Sequence, residues 1–109
     1  MSDAQEEKTI EVYETRRFEK QLSKLSEAQC DVVEDEIDKI IDDPSIGTRK
    51  KGDLSHLWVH KFKLDKREVL LGYSWVEDKL ELYLLNIGSH ESYYDSMKKS
   101  RKADLKLIG

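Results

Sequence analysis

The stretch His56-Leu57-Trp58-Val59-His60-Lys61-Phe62-Lys63-Leu64, then Asp65-Lys66, then Arg67-Glu68-Val69-Leu70-Leu71-Gly72-Tyr73-Ser74-Trp75-Val76, decides the fold. Side chains of a strand alternate between two faces. Residues 56–64 therefore read as a strand with Trp58, His60, Phe62 and Leu64 on one side and Leu57, Val59, Lys61 and Lys63 on the other. Asp65-Lys66 turns the chain, and residues 67–76 form a second strand with Arg67, Val69, Leu71, Tyr73 and Trp75 on one face. Glu77-Asp78-Lys79 makes a second turn before a third strand at 80–87, which Gly88-Ser89 ends. Three consecutive strands joined by tight turns predict an antiparallel meander.

Upstream the period changes. Residues 9–14 alternate and carry β-branched side chains, as a strand does. Thr15 has the chemistry of a helix cap, and Phe18, Leu22 and Leu25 recur at helical spacing behind it. Ser26 with Gln29 three residues on resembles a capping box. The stripe Cys30, Val33, Ile37, Ile40 and Ile41 continues that second helix to Pro44. So short a connection predicts a helical hairpin. Downstream, a short helix is expected from near His90 through Met97, and 98–109 is a basic, weakly apolar tail for which strand, helix and mobile coil all stay open. The expected class is α+β: an antiparallel sheet packed against an N-terminal helical hairpin, in the order β-α-α-β-β-β-α. Residues 1–8 are expected to be a flexible tail and 9–109 a single domain.

A chain of 109 residues leaves no room for a second core. No apolar run approaches the roughly 20 residues of a membrane span. The polar, acidic start lacks the apolar core of a signal peptide, so no membrane partner and a cytoplasmic location are expected. The single Cys30 excludes an intrachain disulfide and any site with two Cys ligands. His56, His60 and His90 have no recognised zinc spacing. No Gly-rich phosphate loop is present. Neither a metal nor another cofactor is expected.

The formal charge of −4 hides an asymmetry. Residues 1–43 hold 14 acidic and 6 basic side chains, a balance of −8. Residues 44–109 hold 13 basic and 9 acidic ones, a balance of +4. The basic half carries Lys61, Lys63 and Arg67, expected on the open sheet face, and the loop Arg49-Lys50-Lys51. Such a surface suits phosphates, although charged faces also serve solubility.

The helical hairpin, then Trp58-Val59-His60-Lys61-Phe62-Lys63-Leu64, then Lys66-Arg67-Glu68-Val69-Leu70-Leu71-Gly72-Tyr73, then Leu82-Tyr83-Leu84-Leu85-Asn86-Ile87-Gly88-Ser89-His90-Glu91-Ser92-Tyr93-Tyr94, together resemble the RelE/ParE toxins of bacterial toxin–antitoxin pairs. The resemblance spans 9–98. It implies a compact sheet with an N-terminal hairpin and neutralisation by a cognate antitoxin. Its RelE branch implies a ribosome-dependent endoribonuclease that cuts messenger RNA without a metal, and its ParE branch implies a non-nuclease inhibitor of DNA gyrase. RelE-type nucleases are usually basic overall, whereas here the basic charge is confined to one half. His-x-x-x-Tyr, at His90 and Tyr94, resembles the histidine-using branch.

Cleavage through the ribose 2′-hydroxyl needs a base, an acid for the leaving 5′-oxygen, and cations on the phosphoryl oxygens. The resemblance assigns His90 to proton transfer, Lys61 and Lys63 to phosphate binding, Arg67 to the transition-state oxygens, and Tyr94 to base stacking or phosphate orientation. Arg49, Lys50, Lys51 and Tyr93 are expected to contact RNA. Each also has a plainer role. Lys61 and Lys63 suit a solvated sheet face, Arg67 an ion pair with Asp65 or Glu68, Tyr93 and Tyr94 the two sides of the last helix, and His60 a hydrogen-bonded place in the core.

Overall fold

The computed structural model describes residues 9–89 and 93–108. The expected tail at 1–8 and the candidate His90 lie outside the described residues. Thr15 accepts the Phe18 N–H at 3.0 Å and caps α1 (Arg16–Ser23). Ser26 and Gln29 form the reciprocal capping box of α2 (Glu27–Asp42). Cys30 Sγ reaches Leu22 O at 3.4 Å, a contact eight residues back that a reversal of the chain allows. Asp43 then caps a 3-10 turn at Pro44–Ile46.

β1 (Glu11–Glu14), β2 (Thr48–Arg49), β3 (Trp58–Leu64), β4 (Arg67–Val76) and β5 (Glu81–Gly88) form one sheet in the order β1-β5-β4-β3-β2. The meander β3-β4-β5 is antiparallel as expected. Asp65 and Lys66 turn β3 into β4 with φ of 52° and 73°, the left-handed pair of a type I′ hairpin. The sheet as a whole is mixed: β1 runs parallel to β5, with Glu11 beside Glu81 and Glu14 beside Leu84. Residues 48–49, expected in a loop, add the two-residue strand β2 to β3. The C-terminal segment resolves into α3 (Tyr93–Lys99) and α4 (Arg101–Ile108).

β1 covers only half of β5. The other half is satisfied by side chains of α1. Thr15 Oγ1 and Arg17 Nε both donate to Leu85 O, at 3.0 and 2.9 Å. Gln21 Oε1 accepts the Ile87 N–H at 2.8 Å. Leu85 is the extra residue of a bulge, since Gly72 pairs with Asn86 and Tyr73 with Leu84.

The expectation of one open sheet face is corrected. The helical hairpin buries Phe18, Val33, Ile37 and Ile40 against Phe62, Leu71 and Tyr73 on one side. A second apolar cluster on the other side joins Leu57, Val59, Leu70 and Leu85 to Tyr93 and Met97 of α3. Gly72 makes that docking possible. A Cβ there would collide with the Tyr93 hydroxyl and stand 2.9 Å from Leu57 Cδ1. α4 is held by its buried Asp104, which meets Arg17 Nη2 at 3.2 Å. Among the described residues, the part of this face that carries Lys61 and Lys63 stays exposed.

Candidate nucleic-acid interface

Lys61 and Lys63 alternate with buried Phe62 and Leu64, so both project from the face opposite the hairpin, and both are exposed. Register sets Lys61, Leu70 and Gly88 side by side across three strands, with Lys63 beside Glu68 in the next row. Among the described residues neither lysine makes an ion pair. The hairpin side carries the exposed carboxylates of α2, including Asp31, Glu34, Asp35 and Asp38, while α3 and α4 expose Lys98, Lys99, Lys102 and Lys106. The acidic and basic halves of the chain thus face away from each other across the sheet.

Tyr94 packs, partly buried, against the apolar cluster that includes Val59 and Leu70, and Leu70 is the register partner of Lys61. The Tyr94 ring meets Tyr93 edge-on at 5.4 Å, and Lys50 Nζ lies 5.0 Å from its centroid, within cation–π range. The Lys50 N–H donates to Leu57 O at 2.9 Å, which seats that loop. Arg49 is exposed and donates through Nε to Ser55 O at 3.1 Å. Lys51 is exposed just before the 3-10 turn at Gly52–Leu54.

Two expectations change. Tyr93 is only 3% exposed. Its hydroxyl donates to Asn86 O at 3.4 Å, and burial pushes its pKa well above the ordinary tyrosine range. It anchors α3 and offers RNA no surface. Arg67 pairs with Leu64, so it points to the hairpin side, away from Lys61 and Lys63. There it lines a 440 Å³ groove with Gln29, Leu64 and Ser89. A two-residue turn puts the residues that flank it on one face, so Leu64 in the core already fixes the side of Arg67.

The histidines divide. His60 takes the expected structural place, with Nε2 2.7 Å from Glu36 Oε1 and its ring stacked on Phe62 at 5.8 Å. Burial works against the charge of Glu36, but the bonds from His60 and Lys39 outweigh it and hold the carboxyl below its usual range. His56 Nε2 is buried without a hydrogen-bond partner among the described residues. Burial lowers its pKa, Asp104 opposes that, and Arg101 adds to it. Among the described residues no three of His, Cys, Asp and Glu gather as a metal site, and no helix is long and apolar enough to cross a membrane.

Sequence reasoning missed the Gln21–Asn86 amide pair, which joins α1 to the end of β5, and the seat of Tyr93 on Gly72. A glycine in mid-strand, where another group approaches closely, is the signal for the latter. The strip offers two ammonium groups without ion-pair partners among the described residues and one aromatic ring with a cation beside it. That combination suits a phosphodiester with an adjoining base.

A family model described as the ParE-like toxin of type II bacterial toxin–antitoxin systems matches residues 12–98. No curated protein matches at a significant level. Among solved structures, the E. coli RelBE toxin–antitoxin complex is similar, at TM-score 0.62 and 18% identity, over 76% of this chain and 99% of that one. The isolated E. coli RelE toxin has TM-score 0.59 and 18% identity, over 84% and 98%. An E. coli RelE toxin with two arginines replaced by alanine, in the free state, has TM-score 0.65 and 16% identity, over 85% and 96%. At these identities the likeness is one of fold.

Proposed function

Because the chain belongs to the ParE-like toxins of type II bacterial toxin–antitoxin systems, we propose that it acts in the cytoplasm as a metal-independent endoribonuclease on ribosome-bound messenger RNA, and that a cognate antitoxin neutralises it. The observation that carries this reading is the pair Lys61 and Lys63, exposed and without ion-pair partners among the described residues, on the strip that Tyr94 borders.

In the proposed reaction the 2′-oxygen bonds to phosphorus and the P–O5′ bond breaks. The 2′-hydroxyl proton passes to a base, and an acid protonates the 5′-oxygen. Lys61 and Lys63 offset the charge gathering on the phosphoryl oxygens. Tyr94 stacks on the splayed base, and His90 is the candidate for proton transfer. Lys50 backs Tyr94, while Arg49 and Lys51 extend the positive surface toward the ribosome. Arg67, on the other side of the sheet, takes no part in this site. The antitoxin is expected to lay an acidic segment over the basic strip or to displace α4.

A second reading, inhibition of DNA gyrase without cleavage, is favoured by the ParE-like description of the matching family and by Arg67 turning away from the lysines. Induction in a bacterial host separates the two. Prompt loss of protein synthesis, with cuts in ribosome-bound transcripts by primer extension, is expected, and Lys61→Ala combined with Lys63→Ala abolishes the cuts. DNA-damage signalling and filamentation with intact transcripts would refute the nuclease and establish the gyrase reading.

A further inference from the structure

The strip that carries Lys61 and Lys63 also carries a carboxylate. Glu68 is the register partner of Lys63, and Leu70, two residues on, is the partner of Lys61. Leu70 packs in the cluster with Tyr93 and Met97 of α3. By the two-residue period Glu68 therefore projects from the same face as the lysines, and it is exposed. Side chains directly opposite have Cβ atoms about 5 Å apart, and diagonal ones about 7–8 Å, so Glu68 lies within reach of what both ammonium groups hold. Among the described residues its carboxylate makes no hydrogen bond and no ion pair. Asp65, the other carboxylate of this hairpin, is turned to the helical side, where it accepts from Gln29 Nε2 at 2.6 Å.

A carboxylate is out of place on a surface that only binds phosphate. It repels the phosphodiester, and when ionised it accepts hydrogen bonds but donates none. The lysines are the reverse, with donors and no acceptor. Single-stranded RNA offers both complements within one nucleotide: a phosphate for the ammonium groups, and base N–H groups for the carboxylate. In an unpaired strand the Watson–Crick edges are free to be read. Guanine sets N1–H beside its 2-amino group, two adjacent donors that match the two oxygens of a carboxylate. Uracil flanks its one N3–H with two carbonyls. Adenine and cytosine place a ring-nitrogen acceptor next to the amino group, and such an acceptor repels carboxylate oxygen. Tyr94 belongs to the other end of β3: Lys50, whose ammonium lies against its ring, is seated on Leu57. A strand lying along β3 therefore presents different nucleotides to Tyr94 and to Glu68.

We infer that Glu68 selects guanine at the nucleotide whose phosphate Lys61 and Lys63 hold. The inference rests on the RNA-cleaving reading and deepens it, since it makes the strip a reader of sequence as well as a binder of phosphate. Glu68 accepts from guanine N1–H and from the 2-amino group, while Tyr94 stacks on the neighbouring base. A bidentate match of this kind discriminates by roughly tenfold.

The test titrates the full chain with the single-stranded RNA trinucleotides UGU, UAU, UCU and UUU, followed by amide chemical shifts. UGU is expected to shift Lys61, Lys63 and Glu68 and to bind about tenfold tighter than the other three. UIU, whose inosine keeps N1–H and lacks the 2-amino group, falls between. Glu68→Gln at this exposed position leaves the melting temperature unchanged and relieves repulsion for every RNA alike. The readout is therefore the affinity ratio of UGU to UCU, which drops below about two as the bidentate match is lost. Cuts in ribosome-bound transcripts carrying the same four changes follow the same order. Equal binding of the four trinucleotides by the parent chain overturns the inference, and so does a guanine preference that survives Glu68→Gln. Loss of all cleavage in Glu68→Gln with the binding ratio kept also overturns it, making Glu68 a base for the 2′-hydroxyl. A Glu68-dependent guanine preference in a chain that cuts no transcript sinks the nuclease reading and leaves the inference standing.

Discussion

Replacing Arg17 with Ala is expected to release α4 while the rest of the molecule stays folded. Asp104 is the one buried residue of α4, at 3% exposure. Its carboxylate receives Arg17 Nη2 on both oxygens, at 3.2 and 3.3 Å, and the Ser100 hydroxyl at 2.9 Å. Arg17 also ties the helix to the bulge through Nε and Leu85 O. Removing one partner of a buried pair costs about 3–5 kcal/mol, because the other charge stays buried and uncompensated. The Arg17 side chain is 31% exposed, so the lower end, about 3 kcal/mol, applies. With a factor of ten for each ~1.4 kcal/mol, the opening equilibrium of α4 rises by roughly 100-fold. Amide hydrogen exchange reads this directly: residues 101–108 lose protection by about that factor, while α2 and β4 keep theirs. In a double-mutant cycle, Asp104→Ala added to Arg17→Ala costs far less than it does alone. Unchanged exchange at 101–108 would refute the clamp, and so would an equal loss throughout the chain.

Two further expectations concern the same side of the sheet. Gly72→Ala drives a methyl into the Tyr93 hydroxyl, an overpacking worth about 1–3 kcal/mol, so thermal unfolding should fall by several degrees with loss of the Lys50–Tyr94 contact in aromatic NMR shifts. His56, whose pKa burial depresses, is taken up neutral by the fold. The unfolded chain therefore binds its proton first, and stability declines as pH falls from about 6.5 toward the folded pKa. Denaturant midpoints between pH 7.5 and 5.5 should drop less in His56→Asn than in the parent, and parallel slopes would contradict the assignment.

The helical hairpin was legible because its signals are local: Thr15, Ser26 and Gln29 act within three residues of themselves. The β3–β4 hairpin was legible for the same reason. The parallel pairing of β1 was not, since Glu11 and Glu81 meet across 70 residues and alternation says nothing of a strand's neighbour. The covering of the second face did leave a trace. Leu82-Tyr83-Leu84-Leu85-Asn86-Ile87 is apolar on both sides of the strand, the pattern of a sheet buried on both faces. Tyr93 and Met97, spaced i and i+4, supply the helix that covers it. In the candidate site, the side of the lysines was readable from Phe62 and Leu64, and parity across Asp65-Lys66 contradicted the expected side of Arg67. The cation beside Tyr94 comes from a loop more than 40 residues earlier, which no spacing rule reaches.

The two-sided covering bears on what the strip can hold under the proposed reading. Lys61 and Lys63 are two residues apart on one strand, so their Cα atoms stand about 7 Å apart. The open rows cross three strands at roughly 5 Å each, and α3 closes the lower end. A strip of about 7 by 10 Å, walled by a helix, admits one or two nucleotides of a single strand lying along β3. The carboxylates of α2 lie behind the sheet, and on the strip itself Glu68, the register partner of Lys63, is the carboxylate beside the two lysines. An acidic chain can therefore present a cationic site, because the sheet keeps the carboxylates of α2 on the face away from Lys61 and Lys63.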